Sequence, residues 1–419
     1  MFKNFLQFNL SSCFVNQLEK RQINKPTDIQ SKIIPLLNAG ESILFSSATG
    51  TGKTFAYLLP LLSRLQLLDS SQTEVLRKDT GVNPYFVIIG PTLELCTQIK
   101  AELDFLLEDV NINTSLVIGS FNLDNQIETL KKTNPKIIVG NLGRLLVLAK
   151  MGKIRFFNLE FLVLDEADRL VSGEMLEETS ELCKIIRRDT GKKGNNFIFA
   201  ACSATMNIKC REKLLINCLG FNRSNFSNIR FLESKDNEIL YDKIEHWAIF
   251  SEKRRKDQTL RSLLSALSMK KSKMKVLVFT SRNDEALFVL SRLQHHHVSA
   301  AGLFGKVSKK SISSTERKDA LDSFRDGKVT VLVSTDLAAR GLDIPGITHV
   351  IALDVPGDSE VYIHRCGRTA RAGKRGVMVT IGDETQMFLL SALEKKLKIK
   401  IYPKELHYGK VCVPAPIED

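Results

Sequence analysis

Short, continuous apolar runs recur along the chain, separated by longer segments of helical period. In the first half they are Ser42–Phe45, Phe86–Ile89, Leu116–Ile118, Ile137–Val139, Phe161–Leu164 and Phe197–Ala200. In the second half they are Val276–Phe279, Ser299–Phe304, Thr330–Ser334, His349–Leu353 and Val377–Ile381. Runs without polar alternation read as strands covered on both faces, and helical crossovers between them make parallel sheets. The pattern predicts an α/β protein of two tandem domains, each a mostly parallel sheet flanked by helices. The polar segment Glu233–Lys243 breaks the periodicity and sets the expected domains at 1–235 and 244–402, with 403–419 as a short tail. Asp69–Asn83 and Arg187–Asn196 read as surface loops. The basic clusters Lys253–Lys256 and Lys270–Lys275 read as solvated faces.

Composition narrows the class. A chain of 419 residues, 43% apolar and 26% charged, is not a disordered one. The longest apolar stretch, Phe55–Leu68, is interrupted by Pro60, Ser63 and Arg64 and falls short of the ~20 residues a membrane span needs. The N-terminal residues hold no uninterrupted apolar signal core. The 8 cysteines form no C-x-x-C pair, so neither a metal-site nor a disulfide pattern is present. Reduced, mostly buried thiols in a cytoplasmic protein are the expectation. The run His295–His297 reads as a solvated helix end, because adjacent helical residues do not share a face. The net charge of +13 points to a polyanion, nucleic acid or anionic membrane, without choosing between them.

Two segments carry chemistry. Ser47, Ala48, Thr49, Gly50, Thr51, Gly52, Lys53 and Thr54 follow a strand and open a helix, which is the context of a phosphate-binding P-loop. Its glycines let backbone N–H groups turn toward phosphate oxygens, and the helix N-terminus adds a positive dipole end. Lys53 reaches the β- and γ-phosphates, and the Thr54 hydroxyl is placed for Mg²⁺. Downstream, Phe161–Leu164 runs into Asp165-Glu166-Ala167-Asp168. A carboxylate at the end of a buried strand, Asp165, suits Mg²⁺ beside a P-loop, and Glu166 suits a base for attacking water.

These segments, followed by Ser203-Ala204-Thr205, resemble the DEAD-box RNA helicase family from about Phe5 to about Leu397. The resemblance implies two RecA-like domains that clamp ATP and RNA between them. It implies that Gln30, in Lys25-Pro26-Thr27-Asp28-Ile29-Gln30, reads adenine, and that Phe5 packs on the base; burial of Phe5 in the core is the competing reading. Ser203 and Thr205 would bond the D-E-A-D carboxylates, with a helix cap as the alternative or additional role. RNA contacts are implied for Pro91, Thr92, Gly119, Asn141, Gly143 and Arg144 in the first domain and for Arg317, Thr335 and Gly341 in the second. Asp343 would bond the ATP ribose. His364-Arg365-Cys366-Gly367-Arg368-Thr369-Ala370-Arg371 resembles motif VI, which implies Arg368 and Arg371 as arginine fingers on the γ-phosphate and His364 as a link to the carboxylates.

The chain departs from the family pattern at Leu93, where Arg is usual, and at Ser120, Leu142 and Ser314. The expected activity is RNA-stimulated ATP hydrolysis, with ATP and Mg²⁺ as cofactors, coupled to local, non-processive duplex separation or ribonucleoprotein remodelling. The departures keep open an ATP-gated RNA clamp with weak unwinding, and a DNA helicase of the same superfamily is a third, less favoured reading. The basic charge is then assigned to a face carrying Lys53, Arg144, Arg317, Arg340, Arg365, Arg368 and Arg371.

Overall fold

The computed structural model describes residues 4–48, 50–69, 81–173, 175–191, 197–221, 229–234, 243–268, 274–305, 314–339, 344, 346–370 and 374–414. The chain divides into two compact units, Met1–Asp236 and Asn237–Asp419.

The first unit is built on β1 (Ile43–Ser46), β2 (Phe86–Gly90), β3 (Thr114–Val117), β4 (Ile137–Asn141), β5 (Phe161–Asp165), β6 (Ile198–Ser203) and β7 (Arg230–Glu233). They form one parallel sheet in the order β3-β4-β2-β5-β6-β1-β7. Every residue of β1, β2, β5 and β6 is buried. Side chains alternate between faces with period two, so each strand feeds two cores. Phe45, Phe86, Ile88, Phe161, Val163, Ala200 and Cys202 pack with Phe14, Ile33, Tyr57 and Ile99 on one side. Leu44, Val87, Ile89, Leu162, Leu164 and Phe199 pack with Leu145, Leu182 and Ile186 on the other.

The second unit contains β8 (Ile244–Phe250), β9 (Val276–Thr280), β10 (Ala300–Leu303), β11 (Val331–Thr335), β12 (His349–Ala352), β13 (Gly376–Gly382), β14 (Ile401–His407) and β15 (Lys410–Cys412). Their order is β10-β11-β9-β12-β13-β8-β14-β15. All neighbours pair in parallel except the β14–β15 hairpin.

Each apolar run of the sequence is a strand within three residues at either end. Three readings need correction. Residues 403–407 and 410–412, set apart within a tail, belong to the sheet: β14 pairs with β8, placing Tyr402 opposite Trp247. β7 and β8 were not anticipated, and Glu233, assigned to the linker, ends β7. Arg187–Gly191 closes the helix Met175–Gly191 and is not loop; residues 192–196, like 70–80 and 235–242, lie outside the described residues. The histidine run does end a helix: Asn283–His295 stops there and His297 turns to φ +58°. All 8 cysteines are free thiols, and all but Cys13 and Cys412 are buried.

Candidate active site

The chemistry-bearing residues of the first unit sit at the carboxyl ends of its strands, where open α/β sheets bind ligands. The P-loop follows β1, Asp165 ends β5, and Ser203 ends β6, the strand between them. The loop is tied down at once: Ser47 N donates to Ser203 O (3.1 Å), and the Ser46 hydroxyl donates to Ala204 O (3.2 Å).

Gly50 and Gly52 take φ values of +78° and +88°, where an L side chain is strained. Gly52 is also forced by contact, since a Cβ there would lie 2.3 Å from Gln30 Nε2. The Thr51 hydroxyl donates to Ala48 O (2.8 Å) and lies 2.6 Å from the Ser47 hydroxyl. Lys53 Nζ curls back to Ser47 O (2.6 Å) and Ala48 O (2.8 Å), which holds the ammonium inside the loop. Thr49 lies outside the described residues. Lys53 opens the helix Lys53–Asp69, so that helix's first N–H groups border the loop.

Gln30 is buried at the third position of helix Asp28–Asn38 and completes a capping box with Thr27. Its Oε1 accepts from Thr27 N (2.9 Å), and its Nε2 donates to Gly52 O (3.1 Å). One N–H and one lone pair of the amide remain for a base. Phe5 takes the packing alternative. It is 2% exposed, edge-on to Phe8 at 6.1 Å, and part of the core.

Asp165 is held by three hydrogen bonds. Its Oδ1 accepts from Glu166 N (2.8 Å) and Cys202 Sγ (3.2 Å), and its Oδ2 accepts from the Tyr57 hydroxyl (2.8 Å). Burial, and then the Asp165 charge, push the Tyr57 and Cys202 pKa values well up, so both stay protonated donors. Neither residue was anticipated from sequence: Tyr57 sits in an apolar helix and Cys202 in an apolar strand, where both read as core. Glu166 turns the chain from β5 into the helix Ala167–Leu170 at φ +48°, a left-handed conformation costing a non-glycine residue roughly 1–2 kcal/mol. Such strain collects at functional sites. The Thr205 hydroxyl donates to Asp168 Oδ2 (2.9 Å). The Ser203 hydroxyl instead accepts from Thr205 N (3.4 Å) within the turn. Neither residue caps a helix: the next one, Ile208–Lys213, is capped by Asn207.

The remaining first-unit residues lie on the other half of the same edge. Pro91 and Thr92 follow β2, and the Thr92 hydroxyl caps helix Leu93–Leu106 by accepting from Leu95 N (3.2 Å). Gly119 follows β3 and Asn141 ends β4; Asn141 Oδ1 accepts from Gly119 N (3.2 Å). Gly143 and Arg144 open the helix Leu142–Lys150. Arg144 clamps the β3 turn, donating to the carbonyls of Gly119 and Phe121 (both 3.0 Å) and to Gln126 Oε1 (3.2 Å). Leu142 is fully buried, Leu93 packs against the core, and Ser120 is exposed.

In the second unit Thr335 ends β11, and its hydroxyl donates to Asn283 Oδ1 (3.4 Å), which also accepts from Gly305 N (3.2 Å). Arg317 lies on helix Ser314–Arg325 and His364 on helix Ser359–Cys366. Arg368 is buried, with Nε donating to His364 O (3.2 Å). Arg340, Gly341, Asp343 and Arg371 lie outside the described residues. Arg365 requires a correction. It was counted among the ligand-facing cations, but it is 1% exposed and committed to Asp336 and Asp354. Burial opposes its charge, and the two carboxylates outweigh that and hold the guanidinium protonated.

A parallel sheet with a P-loop at one strand end and an acidic strand end two places away defines a nucleoside-triphosphate-binding α/β protein. The DEAD/DEAH box helicase model matches residues 27–214, and the helicase conserved C-terminal domain model matches 255–373. The chain is 32% identical over 401 residues to the DEAD-box ATP-dependent RNA helicase CshC of Bacillus cereus, covering 95% of this chain and 92% of that one. It is 30% identical to the DEAD-box ATP-dependent RNA helicase CshA of Bacillus subtilis, covering 95% and 73%. S. cerevisiae Dbp5 bound to RNA and ADP BeF3 superposes with a TM-score of 0.80 at 24% identity, covering 97% and 96%. The chain belongs to the DEAD-box ATP-dependent RNA helicase family, and its two units are RecA-like domains.

Proposed function

We infer that this chain hydrolyses ATP in response to RNA and uses the cycle to separate short duplexes locally or to remodel ribonucleoproteins. One observation supports this above others: the P-loop, Asp165–Glu166 and the Thr205–Asp168 bond converge on three neighbouring strand ends. In this reading Lys53 exchanges its carbonyl partners for phosphate oxygens. Gln30 offers its remaining amide hydrogen and lone pair to adenine, which selects ATP. Glu166 takes the proton of attacking water, and Arg368 and Arg371 supply positive charge to the γ-phosphate. Asp343 is assigned the ribose, and His364 the link to the carboxylates.

The residues present fit Mg²⁺. Among the described residues no three His, Cys, Asp or Glu side chains gather as a metal cage. One buried carboxylate, Asp165, and one hydroxyl, Thr54, are the donor set for an ion that keeps most of its ligands as water and phosphate. When bound, Mg²⁺ neutralises charge on the β- and γ-phosphates.

RNA is assigned to Pro91, Thr92, Gly119, Asn141, Gly143 and Arg144 on the first unit, and to Arg317, Thr335 and Gly341 on the second. These are largely backbone contacts with low sequence preference. Leu93 and the buried Leu142 favour one further reading, an ATP-gated RNA clamp with weak unwinding. We assign the protein to the cytoplasm on its free thiols; no helix among the described residues is long and apolar enough to cross a membrane. ATPase rates with RNA, with DNA and without nucleic acid test the core of this reading. Stimulation by RNA alone is expected, and equal stimulation by DNA overturns it.

A further inference from the structure

Tyr57 holds the carboxylate assigned to the metal. It lies three residues after Thr54 in helix Lys53–Asp69, and residues at that spacing share a helix face. Asp165 continues the Phe161, Val163 alternation of β5, which faces the same core layer as Tyr57. The Tyr57 side chain is fully buried, so its hydroxyl has no water to bond. It donates to Asp165 Oδ2 at 2.8 Å. That bond leaves the remaining lone pairs of the carboxylate to be aimed elsewhere.

Resting on the Mg²⁺ reading above, we propose that Tyr57 is a positioning residue for the metal. The bond from the Tyr57 hydroxyl fixes the orientation of the Asp165 carboxylate before the ion arrives. Outer partners of this kind orient ligands and are worth about 10- to 100-fold in metal affinity. Cys202 is the built-in comparison. It donates to the other oxygen of the same carboxylate, from 3.2 Å, as a weak thiol donor. A merely structural tyrosine, buried with its hydroxyl satisfied, would affect unfolding and leave the metal alone.

The test is fluorescent ADP binding to the full chain across a Mg²⁺ titration, beside thermal unfolding in EDTA without nucleotide. Tyr57→Phe is expected to raise the Mg²⁺ midpoint about tenfold while leaving ADP affinity in EDTA unchanged. Cys202→Ala is expected to leave the midpoint in place. An unmoved midpoint in Tyr57→Phe overturns the proposal, and so does an equal shift in Cys202→Ala, which would assign the effect to general packing under the carboxylate. If Tyr57→Phe fails to fold, Tyr57→Met removes the same hydroxyl with a more adaptable apolar side chain. The proposal requires the same rise in the Mg²⁺ midpoint, and an unmoved midpoint overturns it. Failure of the parent reading looks different: wild-type ADP affinity would then be indifferent to Mg²⁺, and Asp165→Asn would change nothing.

Discussion

Arg365 grips Asp336 with one edge of its guanidinium, Nε to Oδ1 at 2.6 Å and Nη2 to Oδ2 at 2.7 Å, while Nη1 bonds Asp354 Oδ1 at 2.9 Å. Asp336 begins the helix Asp336–Ala339 just after Thr335, Asp354 follows β12, and Arg365 rises from helix Ser359–Cys366. One buried cation therefore sets the spacing of three segments, two of which carry assigned site residues, Thr335 and His364. Removing one member of a buried ion network leaves the others uncompensated, at about 3–5 kcal/mol. Arg365→Ala is expected to lower the unfolding free energy of the second unit by that order. Arg365→Lys should recover only part of it, because a point ammonium cannot reproduce the bidentate grip. Full stability in the Lys variant would show that charge alone suffices.

Glu166 combines an assigned proton-accepting role with a strained backbone at φ +48°. Glu166→Gln keeps the side-chain shape and removes the base. Turnover should fall by about 10²- to 10⁴-fold with ATP binding retained. Glu166→Gly should be equally inactive yet no less stable than wild type, since glycine relieves the left-handed turn. Normal turnover in the Gln variant would remove Glu166 from the mechanism.

The Thr205–Asp168 bond ties the end of β6 to the acidic helix. Thr205→Val preserves shape and deletes the bond. Basal ATP hydrolysis should persist, while the RNA-stimulated rate drops about tenfold, equivalent to about 1.4 kcal/mol of barrier. An unchanged stimulation ratio would mean that the link only holds the two segments together.

His246 on β8 is buried, stacked on Tyr362 at 5.8 Å, with Nδ1 3.0 Å from the Tyr362 hydroxyl. Burial pushes its pKa down from 6.5 to about 4. Below pH 6.5 the unfolded chain binds a proton that the folded chain refuses until about pH 4, so stability present above 6.5 is lost as pH falls through that window. The full span is worth roughly 3 kcal/mol. Stability measured from pH 7.5 to 4.5 should fall accordingly, and His246→Phe should flatten that part of the profile. An identical slope in the variant would assign the acid sensitivity elsewhere.

What the sequence made legible follows from which residues the two faces of a strand must bury. The central strands are apolar at every position because helices cover both sides, so Phe86–Ile89 or Val276–Phe279 could be read directly. β8 escaped because Glu245 and His246 interrupt its apolar run, and β14 because it carries Pro403 and Lys404, residues typical of a sheet margin. The phosphate loop and the acidic strand end were legible because spacing encodes their chemistry. Tyr57 and Cys202 were not, because a buried polar tip is invisible until its partner's position is known. Arg365 was misassigned for the complementary reason. Spacing within a motif does not say which arginine faces the sheet and which faces away.

Leu93 offers the sharpest separation of the helicase and clamp readings. It opens helix Leu93–Leu106 beside Thr92, at the strand-end edge assigned to RNA, and its side chain packs partly against the core. Arginine there would extend beyond that contact, keeping its aliphatic stem on the apolar surface and its charged head in water. The cost in packing should be no more than about 1 kcal/mol. If the edge meets RNA, Leu93→Arg adds one phosphate contact. Affinity should rise, and the slope of log K against log salt should steepen by about 0.7 for a single strand. Duplex separation should rise with affinity if grip limits unwinding. A tighter complex with unchanged unwinding would favour the clamp, and no change in either affinity or slope would move the RNA path away from this edge.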